Sequence, residues 1–107
     1  MAGEIVWVRE SPLDVVEGEE LSYDMTWEIG TTFSDPSAKI YRNNRDVSAT
    51  MMLSGADAVA GRVQSIKKIS NFKANNVYIV DIKCTVDGNT EIRKLQLNCQ
   101  SPGSPQA

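Results

Sequence analysis

The stretch that most constrains this chain is Phe72 to Cys99, FKANNVYIVDIKCTVDGNTEIRKLQLNC. It reads as two long strands folded back on each other. Tyr78, Val80, Ile82, Cys84 and Val86 alternate with Ile79, Asp81, Lys83 and Thr85. A period of two is how a half-buried strand puts one face on a core and the other in water. Asp87-Gly88-Asn89 supplies the positive-φ residues of a tight turn. After it, Arg93, Leu95, Leu97 and Cys99 take up an alternation that Ile92 does not share, which predicts a bulge near Arg93 or Lys94. A turn pairing Val86 with Thr90 would set Cys84 opposite Ile92 and Cys99 far beyond disulfide reach, so both thiols are expected to be free. A lone hairpin is marginal in water, so the rest of the chain must cover its apolar face.

Upstream, Leu21, Tyr23, Met25, Trp27 and Ile29 alternate with Ser22, Asp24, Thr26 and Glu28. That is a core strand of an antiparallel sheet with one wet face, and Trp27 is read as core rather than as a ligand-stacking residue. Ile5 and Trp7 alternate with Val6 and Val8, a short strand over Glu4 to Arg9 that should be covered on both sides. Ser11-Pro12 breaks it, and Leu13 to Val16 is expected to resume on the edge of the other sheet.

Gly30 to Pro36 reads as a polar loop and Ala38 to Arg42 as a strand. Asn43-Asn44-Arg45-Asp46 turns the chain into a second hairpin, with Val47, Ala49, Met51 and Leu53 facing inward. Tyr41 and Met52 are the apolar side chains expected to face outward there. Ser54 to Gly61 is ambiguous between a turn and a strand start. Arg62 to Lys68 is read as a strand, with a helix over 58–69 kept open because Val59, Val63, Ile66 and Ile69 could line one helical face.

Phe72 and the polar turn before Tyr78 form the pattern of a tyrosine corner, in which the Tyr78 phenol reaches back to backbone a few residues upstream. With about seven strands and turn signals every 8–12 residues or so, the expected fold class is all-β: an immunoglobulin-like or fibronectin III-like antiparallel β-sandwich. Residues 1–100 form a single domain, and 101–107, rich in Pro and Gly, a disordered tail. A Cys to Trp to Cys arrangement of the antibody type is missing.

Of 107 residues, 1–36 hold nine acids and one base (net −8) and 37–107 five acids and ten bases (net +5). Interleaved strands would neutralise each other, or leave opposed patches that guide a partner. The bases are spaced along strands, not clustered among aromatics, so nucleic acid is not an expected partner. No apolar run approaches the ~20 residues of a membrane helix, and MAGEIVWVRE lacks the basic region of a secretory signal.

The chain has no histidine, which removes the usual general base and the commonest metal ligand. Two Cys without His fit no zinc framework. Asp87-Gly88-Asn89 with Glu91 lacks the carboxylate ladder of a calcium loop. Asp24 and Glu28 share a strand face, but at roughly 13 Å apart they exceed the glycosidase range. The expectation is therefore no catalytic, cofactor-binding or metal residues, no cofactor, and binding residues that are not identifiable.

GEELSYDMTWE, the short MMLSG segment and the closing VYIVDIKCTVDGNTEIRKLQL resemble the small bacteriophage proteins called fiber-tail adaptors. Those chains carry an acidic L-x-Y-x-x-x-W core strand, a WLSG-like turn and a final hairpin of the form Y-x-V-x-x-x-V-T-x-x-G-x-x. Leu21, Tyr23 and Trp27 match the first, Leu53-Ser54-Gly55 the second, and Tyr78, Val80, Val86 and Gly88 the third; Met52 stands where the pattern has an aromatic. The resemblance implies a non-enzymatic structural or assembly module of a phage or prophage particle, a virion component made in the host bacterial cytoplasm. Its partners would be other phage structural proteins, and alone it would be a monomer or weak homo-oligomer, with no membrane role. The alternative is an Ig-like binding or spacer domain on a bacterial cell surface.

Overall fold

The structure, a computed structural model, describes residues 6–101. The expected tail and the Glu4–Ile5 part of the first expected strand lie outside the described residues. Two sheets face each other. Strands β1 (Leu13–Val16), β3 (Phe33–Arg42), β4 (Arg45–Asp46), β7 (Asn76–Val86) and β8 (Asn89–Gln100) form one, in the order β1-β8-β7-β3-β4. Strands β2 (Asp24–Thr26), β5 (Ala58–Ala60) and β6 (Val63–Ser65) form the other, in the order β2-β6-β5. All pairs are antiparallel except β1 with β8, which is parallel.

The β7–β8 hairpin is the frame. Asp87 (φ 49°) and Gly88 (φ 85°) make a two-residue type I′ turn, so Val86 pairs with Asn89. The register is therefore one residue shorter than the Val86–Thr90 expectation, and Cys84 faces Glu91, not Ile92. Pairing runs unbroken to Asn76 and Cys99, so the bulge expected near Arg93 is absent. Arg93 simply takes an inward position, and Ile92 an outward one.

The bulge sits instead in β3, between Ser34 and Ser37, where Asp35 has φ 52° and Pro36 has no N–H to give a ladder. Phe33 and Ser34 already pair with Val86 and Thr85, so the strand begins inside what reads as a polar loop. Gly30 lets that segment approach: a Cβ there would lie 2.2 Å from the Val86 side chain.

Asn43 (φ 52°) and Asn44 (φ 62°) make a second type I′ turn into β4. The expected strand beyond it is corrected. The Asp46 carboxylate accepts the Ser48 N–H at 2.9 Å, and Ser48–Met51 winds into one helical turn, α1. The period of two is lost there, so Met51 and Met52 are both buried and Leu53 is 63% exposed, the reverse of the expected facing for Met52 and Leu53. Residues 58–69 contain the β5–β6 hairpin and no helix.

The first segments are also corrected. Trp7 bridges Lys94, and Leu13–Val16 pairs with Leu97–Gln100, so both lie on the same edge, against β8. Ser11 fills the interval by accepting the Gln96 N–H at 3.0 Å. Val8 is buried, but Val6 and Trp7 are exposed rather than covered.

The core lies between the sheets: Tyr23, Met25 and Trp27 from one side against Ile40, Tyr78, Val80, Ile82, Leu95 and Leu97 from the other. Leu21 packs at its margin, while Ile29, expected inward, is exposed beyond the end of β2. The tyrosine corner is present. The Lys73 N–H donates to the buried Tyr78 hydroxyl at 3.0 Å, and the Phe72 and Tyr78 rings meet edge-on with centroids 5.6 Å apart.

Candidate functional site

A polar assembly joins the two sheets inside the sandwich. Gln64, on β6, is fully buried. It accepts the Trp27 Nε1–H at 2.9 Å and donates from Nε2 to the carbonyls of Lys83 (2.9 Å) and Ser37 (3.3 Å) across the core. Ser37 and Lys83 are partners in the β3–β7 ladder, next to the β3 bulge. Beside Gln64, the Arg93 guanidinium lies 5.0 Å over the Trp27 ring and donates to Glu28 Oε2 from Nε at 3.1 Å and from its terminal nitrogen at 2.5 Å. These hydrogen bonds hold the Glu28 carboxyl below its usual range.

Trp27 is core. Asp24 and Glu28 are both exposed, and Glu28 is engaged by Arg93. The Asp87 carboxylate accepts N–H groups from Thr31 and Thr32, at 3.0 and 2.8 Å, which holds its pKa down. Glu91 turns to Arg93 at 3.5 Å. Among the described residues, no cluster of three carboxylates or thiols is placed to hold a metal. Cys84 and Cys99 are free and buried, and burial pushes both thiols up, the opposite of activation. Burial, then the hydrogen bond to Glu10, pushes the Tyr23 phenol up as well.

What the molecule presents outward is a face of the five-stranded sheet. Tyr41 and Ile79 stand side by side on β3 and β7, with Val77 (48% exposed) two residues along. Across β8, Trp7 (44% exposed) sits next to Lys94, whose ammonium pairs with Asp81 at 2.5 Å. Together these side chains line a shallow groove of about 520 Å³. Apolar side chains around one ion pair, on a rigid sheet, are what a protein contact needs; they offer no chemistry to a small substrate. Alternation pointed to Ile79 as outward, and Tyr41 was expected outward on its own strand. Nothing local marked Trp7 as their neighbour, since that depends on where the first segment pairs.

No protein-family model and no curated protein matches the sequence. Solved structures do. The chain is similar to titin M4 in its trigonal form, with TM-score 0.54 and 12% identity over 89% of this chain and 93% of that one. It is similar to titin Z1Z2 in complex with telethonin, with TM-score 0.50 and 16% identity over 85% of this chain and 43% of that one. A third is the twitchin kinase fragment from C. elegans, with TM-score 0.53 and 16% identity over 92% of this chain and 21% of that one. The fold is thus that of an immunoglobulin-like domain. No helix among the described residues is long and apolar enough to cross a membrane.

Proposed function

We propose that this chain is a non-enzymatic structural or assembly module of a bacteriophage or prophage particle, of the fiber-tail adaptor kind, acting through protein–protein contacts. The observation that carries the docking role is the apolar outer face of the five-stranded sheet, Trp7, Tyr41, Val77 and Ile79, rigidly backed by the β7–β8 frame. One similar solved structure holds titin Z1Z2 in complex with telethonin, so immunoglobulin-like domains serve as docking partners elsewhere. The phage assignment is supported by the resemblance at Leu21, Tyr23, Trp27, Leu53-Ser54-Gly55, Tyr78, Val80, Val86 and Gly88. None of these residues belongs to the docking face, which therefore owes nothing to that likeness.

The test is incorporation. Particles induced from a host carrying the gene and purified on a density gradient should contain the chain. Val77→Glu with Ile79→Lys should abolish incorporation while leaving the isolated fold intact. Particles complete in tail proteins but lacking the chain would overturn the phage assignment. Saturable binding to one glycan on an array would favour the bacterial-surface alternative.

A further inference from the structure

Among the described residues, nothing pairs with the outer edge of β2 in the three-stranded sheet. β2 pairs with β6 so that Tyr23, Met25 and Trp27 turn their backbone groups toward β6: Ile66 N–H donates to Tyr23 O, and Trp27 N–H to Arg62 O. The N–H and C=O of Asp24 and Thr26 therefore point the other way, and among the described residues they have no partner. On the facing side, Val8 N–H donates to Lys94 O and Val6 O accepts from Lys94 N–H, which turns the Trp7 N–H and C=O away from β8. Between the two lies a groove of about 580 Å³, lined by Val6–Glu10, Asp24–Thr26, Glu28 and Arg93. The described part of the first segment, from Val6 on, lies against β8, and no described residue pairs with the outer edge of β2.

The surroundings state what would fit. The groove's own lining holds the carboxylates Glu10, Asp24 and Glu28 with the bases Arg9 and Arg93, and residues 10–28 as a whole carry seven carboxylates and no base. Asp14 and Asp24 are exposed and have no ion-pair partner among the described residues, whereas Glu28 is engaged by Arg93, Glu20 by Lys68 and Glu10 by the Tyr23 hydroxyl. Met25 and Val8 offer buried apolar surface to the groove. An incoming strand alternates its side chains, so apolar ones would point in toward Met25 and basic ones out among the carboxylates.

We propose that this edge is a strand-acceptor site for a short extended segment of another protein in which Lys or Arg alternates with apolar residues. The segment adds beside β2, takes the hydrogen bonds of Asp24 and Thr26, and closes the gap toward Trp7. The inference goes beyond the docking face and does not depend on which particle the chain serves.

The probe is a blocked peptide of about six residues alternating Lys and Val, the usual strand length, against a Glu-Val peptide of equal length. The Lys-Val peptide should protect the Asp24 and Thr26 amides from exchange, and its binding should weaken as salt rises. Thr26→Pro removes an outward N–H without touching the β2–β6 ladder and should weaken binding about tenfold, the order of one hydrogen bond. Asp24→Lys, at an exposed side chain, should weaken the Lys-Val peptide and favour the Glu-Val one, so a misfolded proline variant does not stall the test. Equal binding of both peptides, protection at Val77 and Ile79 instead, or self-association that protects the same amides would each overturn the proposal. Particle incorporation that survives Thr26→Pro while peptide binding is lost would leave the docking face and this edge separately judged.

Discussion

The side-chain amide of Gln64 donates to the main-chain carbonyl of Lys83 at 2.9 Å, joining the two sheets through the centre of the core. Its oxygen meanwhile accepts from Trp27, so one buried amide satisfies an indole N–H and two main-chain carbonyls. This strut occupies the middle of a sandwich whose two cysteines are not bonded.

Gln64→Leu is isosteric enough to fill the space but strands those partners. Each unsatisfied buried group costs about 1–3 kcal/mol, so the variant should lose roughly 2–5 kcal/mol in urea unfolding. A change within about 0.5 kcal/mol, the range of an ordinary surface substitution, would show that the strut contributes nothing.

Trp27 is fully buried, carries the Gln64 bond and lies under Arg93. Trp27→Ala should cost about 3–5 kcal/mol, a large share of the 5–15 or so that a domain possesses. A variant melting with the parent would mean that β2 turns its other face inward.

The acid limb of the stability curve should carry the signature of Asp87. Its folded pKa is depressed by the Thr32 and then the Thr31 N–H bonds, so its contribution is present above the unfolded value, about 3.9, and is lost as pH falls through the folded one. Asp87→Asn keeps a residue that tolerates positive φ but removes the charge. The gap in urea midpoint between parent and variant should be constant from about pH 5 to 8 and shrink toward pH 2. A gap that widens in acid would reverse the assignment.

Cys99 stands opposite Asn76 and Cys84 opposite Glu91, which puts eight residues of β7, roughly 26 Å, between the thiols. A disulfide needs Cα atoms within about 7 Å. With burial also pushing both thiols up, native protein should react slowly with a thiol reagent, and denatured, unreduced protein should show two groups per chain. A mass two units below the reduced value would contradict this register.

Period-two alternation over Tyr78–Val86 and Tyr23–Trp27, the Asn43-Asn44 and Asp87-Gly88 turns, and the Phe72–Tyr78 corner were all legible in the sequence. Each is local: a strand's inward face, a positive φ and a corner are decided within a few residues of chain. What alternation does not carry is the identity of the neighbour. It showed that Val6–Val8 is a strand-like segment but not that it would join β8, and so neither the outward Trp7 nor the edge of β2 that no described residue pairs with could be read. Turn type shifted the hairpin register by one residue, and the Asp46–Ser48 bond replaced a strand with a helical turn that exchanged Met52 for Leu53 in the core. Alternation puts Arg93 in line with Leu95, Leu97 and Cys99, but says nothing of what would accompany its charge inside. Arg93 is buried because Glu28, sixty-five residues away, and the Trp27 ring are brought to it, and only the packed sandwich supplies a partner that desolvates a charge and compensates it together.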